Sequence, residues 1–534
     1  MMGHKFGPAW RQAALSAVLA GSVAAAFAAP AFAQGVLKVG MTAADLPITT
    51  GNPDQGFEGY RFVGYNLYDS LVEWDLSSAT KPSDLVPGLA TSWAVDPKNK
   101  TQWIFTLRKG VKWTDGCPFV ASDVVWNLQH LTDPKDPAYY AAEAAQAGPY
   151  LTNYASAKAE GEDKVVITTK QPDSLLPYEL SYVLMISPCQ AKKLKYDWTA
   201  FAAHPSGTGP YLFAREVPHR EMDLVPNPDY WNKKRIPKAK LELFPMPDPA
   251  TRTAALLSGQ VNWIEAPDPD AMKKLKAAGM KIVTNTYPHN WSYQLNFAKG
   301  PFTDIRIRRA ANYAISRTDM KTLLDGYMIK SYSTVPPTTP YFGHPVEYKY
   351  DPKKATALLK EAHCYPCAVT LAISTSGSGQ MQSLSMNELV KEDMDAAGFK
   401  VTLDTMDWNA LLAVARVGVD KYPTISAINV SRQVQDPFNA LIRHVATSQW
   451  APHGSNWGHY SNPKMDKLID EIYNEFDNAK RLVLLTKLNE MMNEQAVMIW
   501  VAHDVNPRAM SPKVHGFIQA QNWAQDLTPV SVSP

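Results

Sequence analysis

Strand-like and helix-like segments alternate along the second half of the chain, and this alternation restricts the fold more than any other feature. Residues 369–373 and 399–403 predict strands, with a helix between them that ends at Gly398. A helix over 408–417 and a strand over 424–430 are predicted to follow. Strands that alternate with helices at this spacing form a sheet covered by helices, so the predicted fold class is α/β.

Two further elements are predicted at defined places. Residues 36–41 indicate a strand. Thr303 or Asp304 is expected to cap a helix that continues through Ile315 and ends near Gly326.

The first 33 residues predict a secretory signal peptide. Lys5 and Arg11 precede an apolar run over 13–29, and a small-residue A-x-A motif follows at 31–33. A membrane anchor is the alternative, but the run has only 17 residues, is rich in Ala and is followed at once by proline. The residue directly after the cleavage site is not a cysteine, which is typical of a free periplasmic protein without a lipid anchor.

Size and charge limit the classes of partner. The signal segment holds two basic residues and no acidic ones, so the remaining chain has 51 basic and 51 acidic residues. A chain without net charge is not expected to bind nucleic acid or an anionic membrane surface. About 500 residues exceed one hydrophobic core, so two or three domains are expected.

Linear motifs of catalysis are absent from the sequence. It contains no G-x-S-x-G, H-E-x-x-H, P-loop or G-x-G-x-x-G pattern. His289, His453 and His459 have no spacing typical of metal ligands. We therefore expect no catalytic residues, no metal, no cofactor and no enzymatic activity, although a triad assembled in space would leave no linear trace.

A set of ordered landmarks gives the strongest indication of function. The segments are LVPGLATSW at 85–93, FTLRKGVKWTDG at 105–116, FVASDVV at 119–125, GTGPY at 207–211, NPDYW at 227–231, LNF at 295–297, PFTDIRIRRA at 301–310, YAISR at 313–317, and YSNP at 460–463 with Asp466. Together they resemble the periplasmic oligopeptide/dipeptide-binding family, the extracellular solute-binding proteins of family 5 that serve ABC importers. The landmarks cover most of the chain after the signal segment.

The resemblance implies two lobes with an additional inserted subdomain in the first lobe. Mapped onto this sequence, the first lobe covers 35–75, 198–285 and 503–534, the insert covers 76–197, and the second lobe covers 286–502. The ligand is expected between the lobes, which close over it like a hinge.

The four cysteines are interpreted within this domain scheme. They are Cys117, Cys189, Cys364 and Cys367, and they allow three disulfide pairings. Cys117–Cys189 and Cys364–Cys367 are favoured because each pair then stays within one domain. A redox or metal role for the C-x-x-C motif at 364–367 is the alternative, but one such motif is only half of a zinc site.

One position departs from the peptide-binding members of the family. In those proteins an acidic residue three positions before an Asp-Pro pair holds the α-ammonium of the ligand. Here the pair is Asp436-Pro437, and the position is occupied by Gln433. An amide is a weaker partner for a buried ammonium than a carboxylate, whereas neighbouring Arg432 can hold a carboxylate through two hydrogen bonds.

The predicted contacts with the ligand lie near the strand ends and loops that are expected to face the cleft. They are Arg432, Gln433, Trp408, Trp457 and Tyr293. For each aromatic residue, packing in the core is the alternative, and for Arg432 the alternative is a side chain that faces solvent.

The predicted function is the periplasmic solute-binding component of an ABC importer, which captures a peptide or peptide-like solute and delivers it to permease subunits in the inner membrane. We expect a monomer. Amide, opine-like, sugar-like and anionic ligands remain open. A metal- or haem-delivery protein of the same fold and a secreted hydrolase are the alternatives.

Overall fold

The computed structural model describes residues 35–375, 377 and 379–534. The predicted signal peptide over 1–33 lies outside the described residues. Within the described part of the chain, no helix is both long enough and apolar enough to cross a bilayer.

Residues 36–41 form the central strand of a seven-stranded sheet, as predicted. Val36–Met41 pairs in parallel with Lys240–Pro245 on one side and with Trp263–Glu265 on the other. The other neighbours in the sheet are antiparallel. The order across the sheet is Lys281–Val283, Arg508–Met510, Trp263–Glu265, Val36–Met41, Lys240–Pro245, Glu221–Pro226 and Tyr211–Val217.

The second seven-stranded sheet is built from the region where strands and helices alternate in the sequence. Cys367–Ser374 pairs in parallel with Phe399–Met406 and with Ala427–Asn429, which confirms all three predicted strands with shifted ends. The order is Met328–Lys330, Met498–Asp504, His289–Leu295, Ala427–Asn429, Cys367–Ser374 and Phe399–Met406, and the short strand Arg432–Gln433 also pairs with His289–Leu295.

Smaller sheets complete the strands of the described residues. A four-stranded antiparallel sheet has the order Ala90–Val95, Gln102–Leu107, Lys164–Thr169 and Tyr154–Ala159. Two two-stranded sheets pair Val72–Trp74 with Leu85–Pro87 and Val514–His515 with Ser531–Val532.

Helices cover these sheets. The α-helices are Phe57–Gly59, Tyr65–Leu67, Ala121–Thr132, Ala141–Ala147, Leu176–Leu180, Pro188–Lys193, Trp198–Ala203, Pro249–Ser258, Met272–Ala277, Ile305–Ala314, Arg317–Leu323, Pro352–Glu361, Ser383–Ala396, Trp408–Val417, Arg443–Val445, Pro463–Asn474 and Asn478–Glu494. Tyr60–Gly64 and Phe438–Ile442 are π-helical. The 3₁₀ turns are Gly148–Tyr150, Lys233–Arg235, Pro269–Ala271, Pro301–Thr303, Val419–Lys421 and Thr447–Gln449.

The helix predicted from Asp304 to Gly326 is two helices. Asp304 caps the first through its side chain, as expected, but this helix ends at Ala314 because Ile315 has an extended backbone. The hydroxyl of Ser316 then accepts a hydrogen bond from the backbone N–H of Asp319 and starts the second helix. The single long helix was therefore wrong.

The chain passes twice between the two large sheets. It leaves the first sheet at Val283 and enters the second at His289, and it returns from Asp504 to Arg508. The two passages lie side by side, since Val283 pairs with Arg508 and Asn290 pairs with His503. The predicted lobe boundaries lie at or next to these two passages, and they remain a prediction.

Two disulfide bonds are present in the structure. Cys117 is bonded to Cys189, and Cys364 is bonded to Cys367. The first joins residues 72 positions apart in the sequence, and the second closes a loop of three residue steps.

Candidate functional site

A cavity of about 590 Å³ lies where distant segments of the chain meet. Its described walls come from Gly56, Phe57 and Tyr60, and from residues within 144–150, 408–417, 430–433 and 452–455, together with Arg443 and Trp523. Small-molecule sites in proteins enclose roughly 300–1,000 Å³, so this cavity is large enough for a ligand of several residues or rings.

Aromatic side chains form much of the cavity wall. They are Phe57, Tyr60, Tyr150, Trp408 and Trp523. The ring of Phe57 lies 5.7 Å from that of Trp523 and 5.6 Å from that of Tyr60. Tyr150 stacks on Tyr182 at 4.4 Å, which fixes its orientation. Such rings offer flat apolar surface at a small cost in side-chain entropy.

The helix Trp408–Val417 supplies one wall of the cavity. Its cap determines where the helix begins, and its apolar face packs inward. The carboxylate of Asp407 accepts hydrogen bonds from the backbone N–H groups of Asn409 and Ala410 and begins the helix at this point. Trp408 and Leu411 are buried on the inward face. The φ angle of Gly377 is 133°, and a Cβ atom there would lie 2.4 Å from the Trp408 ring, so a larger residue would displace the indole.

Three arginines line the cavity: Arg416, Arg432 and Arg443, named here the cavity arginines. None of the described residues that line the cavity is Asp or Glu. No ion pair between described residues involves any of the three. The cavity therefore has an excess of positive charge that the described side chains do not neutralise.

Arg443 is buried and Arg432 is half-buried, and both have few hydrogen bonds. Arg443 donates to Asn439 and, over 2.7 Å, to the hydroxyl of Ser455. The Nε atoms of Arg432 and Arg443 have no hydrogen-bond partner among the described residues. Burial, followed by repulsion from Arg443, lowers the pKa of Arg432 to about 9. The cationic form of Arg432 is thus destabilised by its surroundings.

The amide of Gln433 is occupied by neighbouring groups. Its Oε1 accepts a hydrogen bond from the backbone N–H of Gln435 over 3.0 Å, and its Nε2 donates to the hydroxyl of Tyr182 over 3.2 Å. The hydroxyl of Tyr182 donates in turn to Asp436 over 2.6 Å. The other hydrogen bonds of Asp436 come from the backbone and side chain of Asn439. The Oε1 of Gln433 and the carboxylate of Asp436 thus both already accept hydrogen bonds from within the protein.

The predicted contacts divide into two groups. Trp408, Arg432 and Gln433 line the cavity. Tyr293 does not: it is fully buried in the core of the second large sheet, and its hydroxyl donates to Asn387. Trp457 is also fully buried and packs in a cluster with Trp408 and Leu411. Both leave the candidate set because apolar packing surrounds their rings.

Sequence reasoning missed several lining residues. Arg443 lies at the end of a π-helical segment, Tyr150 lies in a turn of the predicted insert, and Trp523 lies near the C-terminus. Nothing local in the sequence marks any of them. Arg443 does lie seven residues after Asp436, and this closeness to the Asp-Pro pair was the only available signal for it.

A second charged region lies on the other side of Trp523. It contains Glu58, Arg61, Arg252, Glu265 and Arg508, named here the buried ion cluster. Arg61 forms ion pairs with Glu58 and Glu265, and Arg508 pairs with Glu265 over 3.0 Å. Although burial opposes its ionisation, Arg61 and Arg508 together hold the pKa of Glu265 at about 2.

Trp523 joins the two regions. The Arg61 guanidinium lies 4.5 Å from the centre of the indole, and its Nε donates to the Trp523 carbonyl over 3.1 Å. The Trp523 backbone N–H donates to Oε1 of Gln435 over 2.9 Å. The indole is therefore fixed between the cavity and the buried ion cluster.

Metal-like clusters among the described residues are already neutralised. Asp115 lies beside Cys117 and Cys189, but these cysteines are bonded to each other. Glu221, Asp223 and Glu242 lie together, and Arg215 and Lys240 form ion pairs with them. Neither group contributes to the cavity.

The architecture defines the class of protein. The structure of the periplasmic binding protein DppA from Helicobacter pylori, in complex with the peptide STSA, superposes with a TM-score of 0.80 at 22% identity, covering 94% of this chain and 99% of that chain. This likeness shows the two-lobed α/β fold of periplasmic binding proteins with its additional subdomain, as predicted.

Sequence comparison then gives the family. The family model of the bacterial extracellular solute-binding proteins, family 5 (middle region), matches residues 84–467. The chain belongs to this family. Heme-binding protein A of Haemophilus influenzae is 26% identical over 484 residues, with 86% of each chain covered. The periplasmic oligopeptide-binding protein OppA of Escherichia coli is 25% identical over 543 residues, with 94% of each covered. The predicted membership is confirmed: the chain is a solute-binding component of an ABC importer and not an enzyme.

Proposed function

We propose that this chain captures a peptide or peptide-like solute in the cavity lined by Trp408, Arg432 and Gln433 and delivers it to the permease subunits of its importer. The observation that carries the proposal is the cavity itself, which combines an aromatic wall with polar groups at one place. The likeness to OppA, an oligopeptide-binding protein, and to DppA, whose structure contains a bound peptide, supports the ligand class.

The paired passages at 283–289 and 504–508 would serve as the hinge between lobes with the predicted boundaries. Among the residues that the structure describes, only two short segments connect the large sheets, so the lobes could rotate about them while each sheet stays intact. Closure would bring the walls of the cavity around the solute and exclude water.

The same proposal includes the compartment. Cleavage after residue 33 would release the chain as a monomer into the periplasm, where its two disulfide bonds can persist. Mass spectrometry of the exported protein before and after reduction tests both points. An N-terminus at residue 34 and a gain of four hydrogens on reduction are expected, whereas a retained segment or an unchanged mass would contradict them.

Native mass spectrometry of the exported protein tests solute capture. The expected result is a one-to-one complex whose small molecule is released on denaturation. If the protein is empty, a thermal-shift screen of peptides and organic acids replaces it, because a ligand at about 100 times its Kd adds about 2.7 kcal/mol of stability. A screen without any shift would contradict the proposal.

Haem or metal delivery is the second candidate. It is favoured by the likeness to Heme-binding protein A and by His453, an exposed imidazole at the cavity. Visible absorbance of the purified protein after incubation with haem, lost in His453→Ala, would support it. The absence of a spectral change would remove it.

A further inference from the structure

We propose that the solute is an organic acid without a free ammonium group, whose carboxylate binds Arg432 and Arg443 and whose apolar or aromatic body lies against the ring wall. This inference rests on the proposed function and names the chemical class of the solute for the same cavity. It also separates this chain from proteins that hold the ammonium end of a peptide.

The first argument is charge. Three guanidinium groups line one cavity, and the described residues of its wall supply no carboxylate. Buried charges in proteins are paired or hydrogen-bonded, because an isolated charge loses its hydration without compensation. Arg443 is buried, Arg432 is half-buried and Arg416 is exposed, so a solute carboxylate would supply the compensating charge for the two inner guanidinium groups.

The second argument is the supply of hydrogen-bond donors. The Nε atoms of Arg432 and Arg443 and the indole nitrogens of Trp408 and Trp523 have no partner among the described residues. No hydrogen bond between described residues uses the other guanidinium nitrogens of Arg432 either, whereas Arg443 is oriented by Asn439 and Ser455. A guanidinium presents its N–H groups as a planar fork that matches a carboxylate.

The third argument is the absence of an ammonium partner. The acceptor of Gln433 is used by Gln435, and the carboxylate of Asp436 receives Tyr182 and Asn439. An ammonium entering the cavity would meet three cations and would lose its hydration without a carboxylate in return. A free amino terminus therefore weakens binding.

The fourth argument concerns the body of the solute. Phe57, Tyr60, Tyr150, Trp408 and Trp523 contribute ring surface to the cavity. Burial of a flat or apolar group against them supplies affinity that does not depend on charge. The cavity thus combines one anion-binding end with an apolar wall.

Three ligands that differ only at their ends test this class. N-acetyl-Phe-Ala keeps the carboxylate and lacks the ammonium, Phe-Ala has both, and Phe-Ala-amide has the ammonium alone. Calorimetry on the exported protein at pH 7 is expected to give at least about tenfold tighter binding of N-acetyl-Phe-Ala than of Phe-Ala. The reason is that Phe-Ala brings an ammonium group into the cavity, where this charge has no partner. Phe-Ala-amide is expected not to bind.

Two variants locate the carboxylate site. Arg432→Gln is expected to weaken the binding of N-acetyl-Phe-Ala by about 10- to 100-fold, the range for a hydrogen bond to a charged group. Arg220→Gln removes the same charge from an exposed position outside the cavity and is expected to leave affinity unchanged. Because the three-ligand series uses the unmodified protein, the test does not depend on how the variants fold.

The outcomes separate this inference from the proposed function. Tight binding of Phe-Ala and Phe-Ala-amide, with weaker binding of the acetylated ligand, would overturn the acid class and leave solute capture intact. Unchanged affinity in a folded Arg432→Gln protein would overturn the assigned anion site. If none of the three ligands binds, the acid class as stated is overturned, and the wider thermal-shift screen then decides on solute capture by itself.

Discussion

The cavity and the buried ion cluster each contain three arginines, but only one of the two regions provides its own anions. Arg61, Arg252 and Arg508 share their space with Glu58 and Glu265, and Arg252 also donates to four backbone carbonyl groups. Arg416, Arg432 and Arg443 have no carboxylate partner among the described residues. The first region supplies the carboxylate of Glu265 to its arginines, whereas in the second region the proposed ligand would supply it.

This difference has a physical origin in the chemistry of arginine. A buried carboxyl can take up a proton and become neutral, as Glu143 does, because burial raises its pKa to about 8. A guanidinium keeps its charge at all ordinary pH values. An arginine without an acidic partner therefore stays charged and favours the binding of an anion. Three such arginines in one cavity support an anionic ligand.

The largest effect is expected from breaking the complete region. Glu265→Gln leaves Arg61 and Arg508 buried without their shared carboxylate and should lower the free energy of unfolding by about 3–5 kcal/mol. Urea unfolding measures this. Glu160→Gln, which removes an exposed partner of Lys164, is the control and should cost less than about 1 kcal/mol. Equal effects would mean that the cluster does not stabilise the fold.

A carboxyl that adapts by protonation provides the intermediate case. The folded-state pKa of Glu143, about 8, lies above its ordinary value of 4.5, so folded protein holds a proton that the unfolded chain has released. Stability should therefore fall as pH rises from about 4.5 to 8. Glu143→Gln should remove this slope and raise the free energy of unfolding at pH 8 by about 1–3 kcal/mol. A slope that persists in the variant would contradict the assignment, and Glu160→Gln again serves as the control.

Supplying the missing anion from the protein sharpens the comparison. Gln433→Glu places a carboxylate next to Arg432 and should weaken the binding of N-acetyl-Phe-Ala by about 1–2 kcal/mol while favouring Phe-Ala. Gln146→Glu adds the same charge on another wall of the cavity. A similar loss in both variants would show that only net charge matters, whereas calorimetry should find the larger loss in Gln433→Glu.

The smallest effect is expected on the stability of the empty protein. Arg432→Gln removes a cation that is repelled by Arg443 and has no acid, so the free energy of unfolding should stay within about 1 kcal/mol of the parent or rise. Urea unfolding without ligand measures it. A loss close to that of Glu265→Gln would mean that Arg432 has a partner within the protein.

The sequence predicted the fold more completely than the site. The strands at 36–41, 369–373 and 399–403 were found because apolar and β-branched residues mark buried strands wherever they occur. Three of the five predicted contacts line the cavity. The family resemblance located Arg432 and Gln433 through Asp436, and Trp408 was predicted from its place near a strand end. The helix from 304 was predicted too long because Ser316, the residue that caps the second helix, was not recognised as a new helix start.

The remainder of the site depends on distances that a linear sequence does not contain. Tyr293 and Trp457 have the same residue type as true wall residues, and only the packing around them decides which surface they occupy. Tyr150, Arg443 and Trp523 come from three separate parts of the chain and meet only in the folded protein.

The side-by-side course of the two chain passages has a mechanical consequence. Two segments held together by the pairs Val283–Arg508 and Asn290–His503 can bend across their common line, but they resist twisting about each other. In the proposed lobe motion, this joint would then rotate about a single axis. Each swing would return the opposing walls to the same alignment, so the arginines would meet every incoming molecule at the same angle.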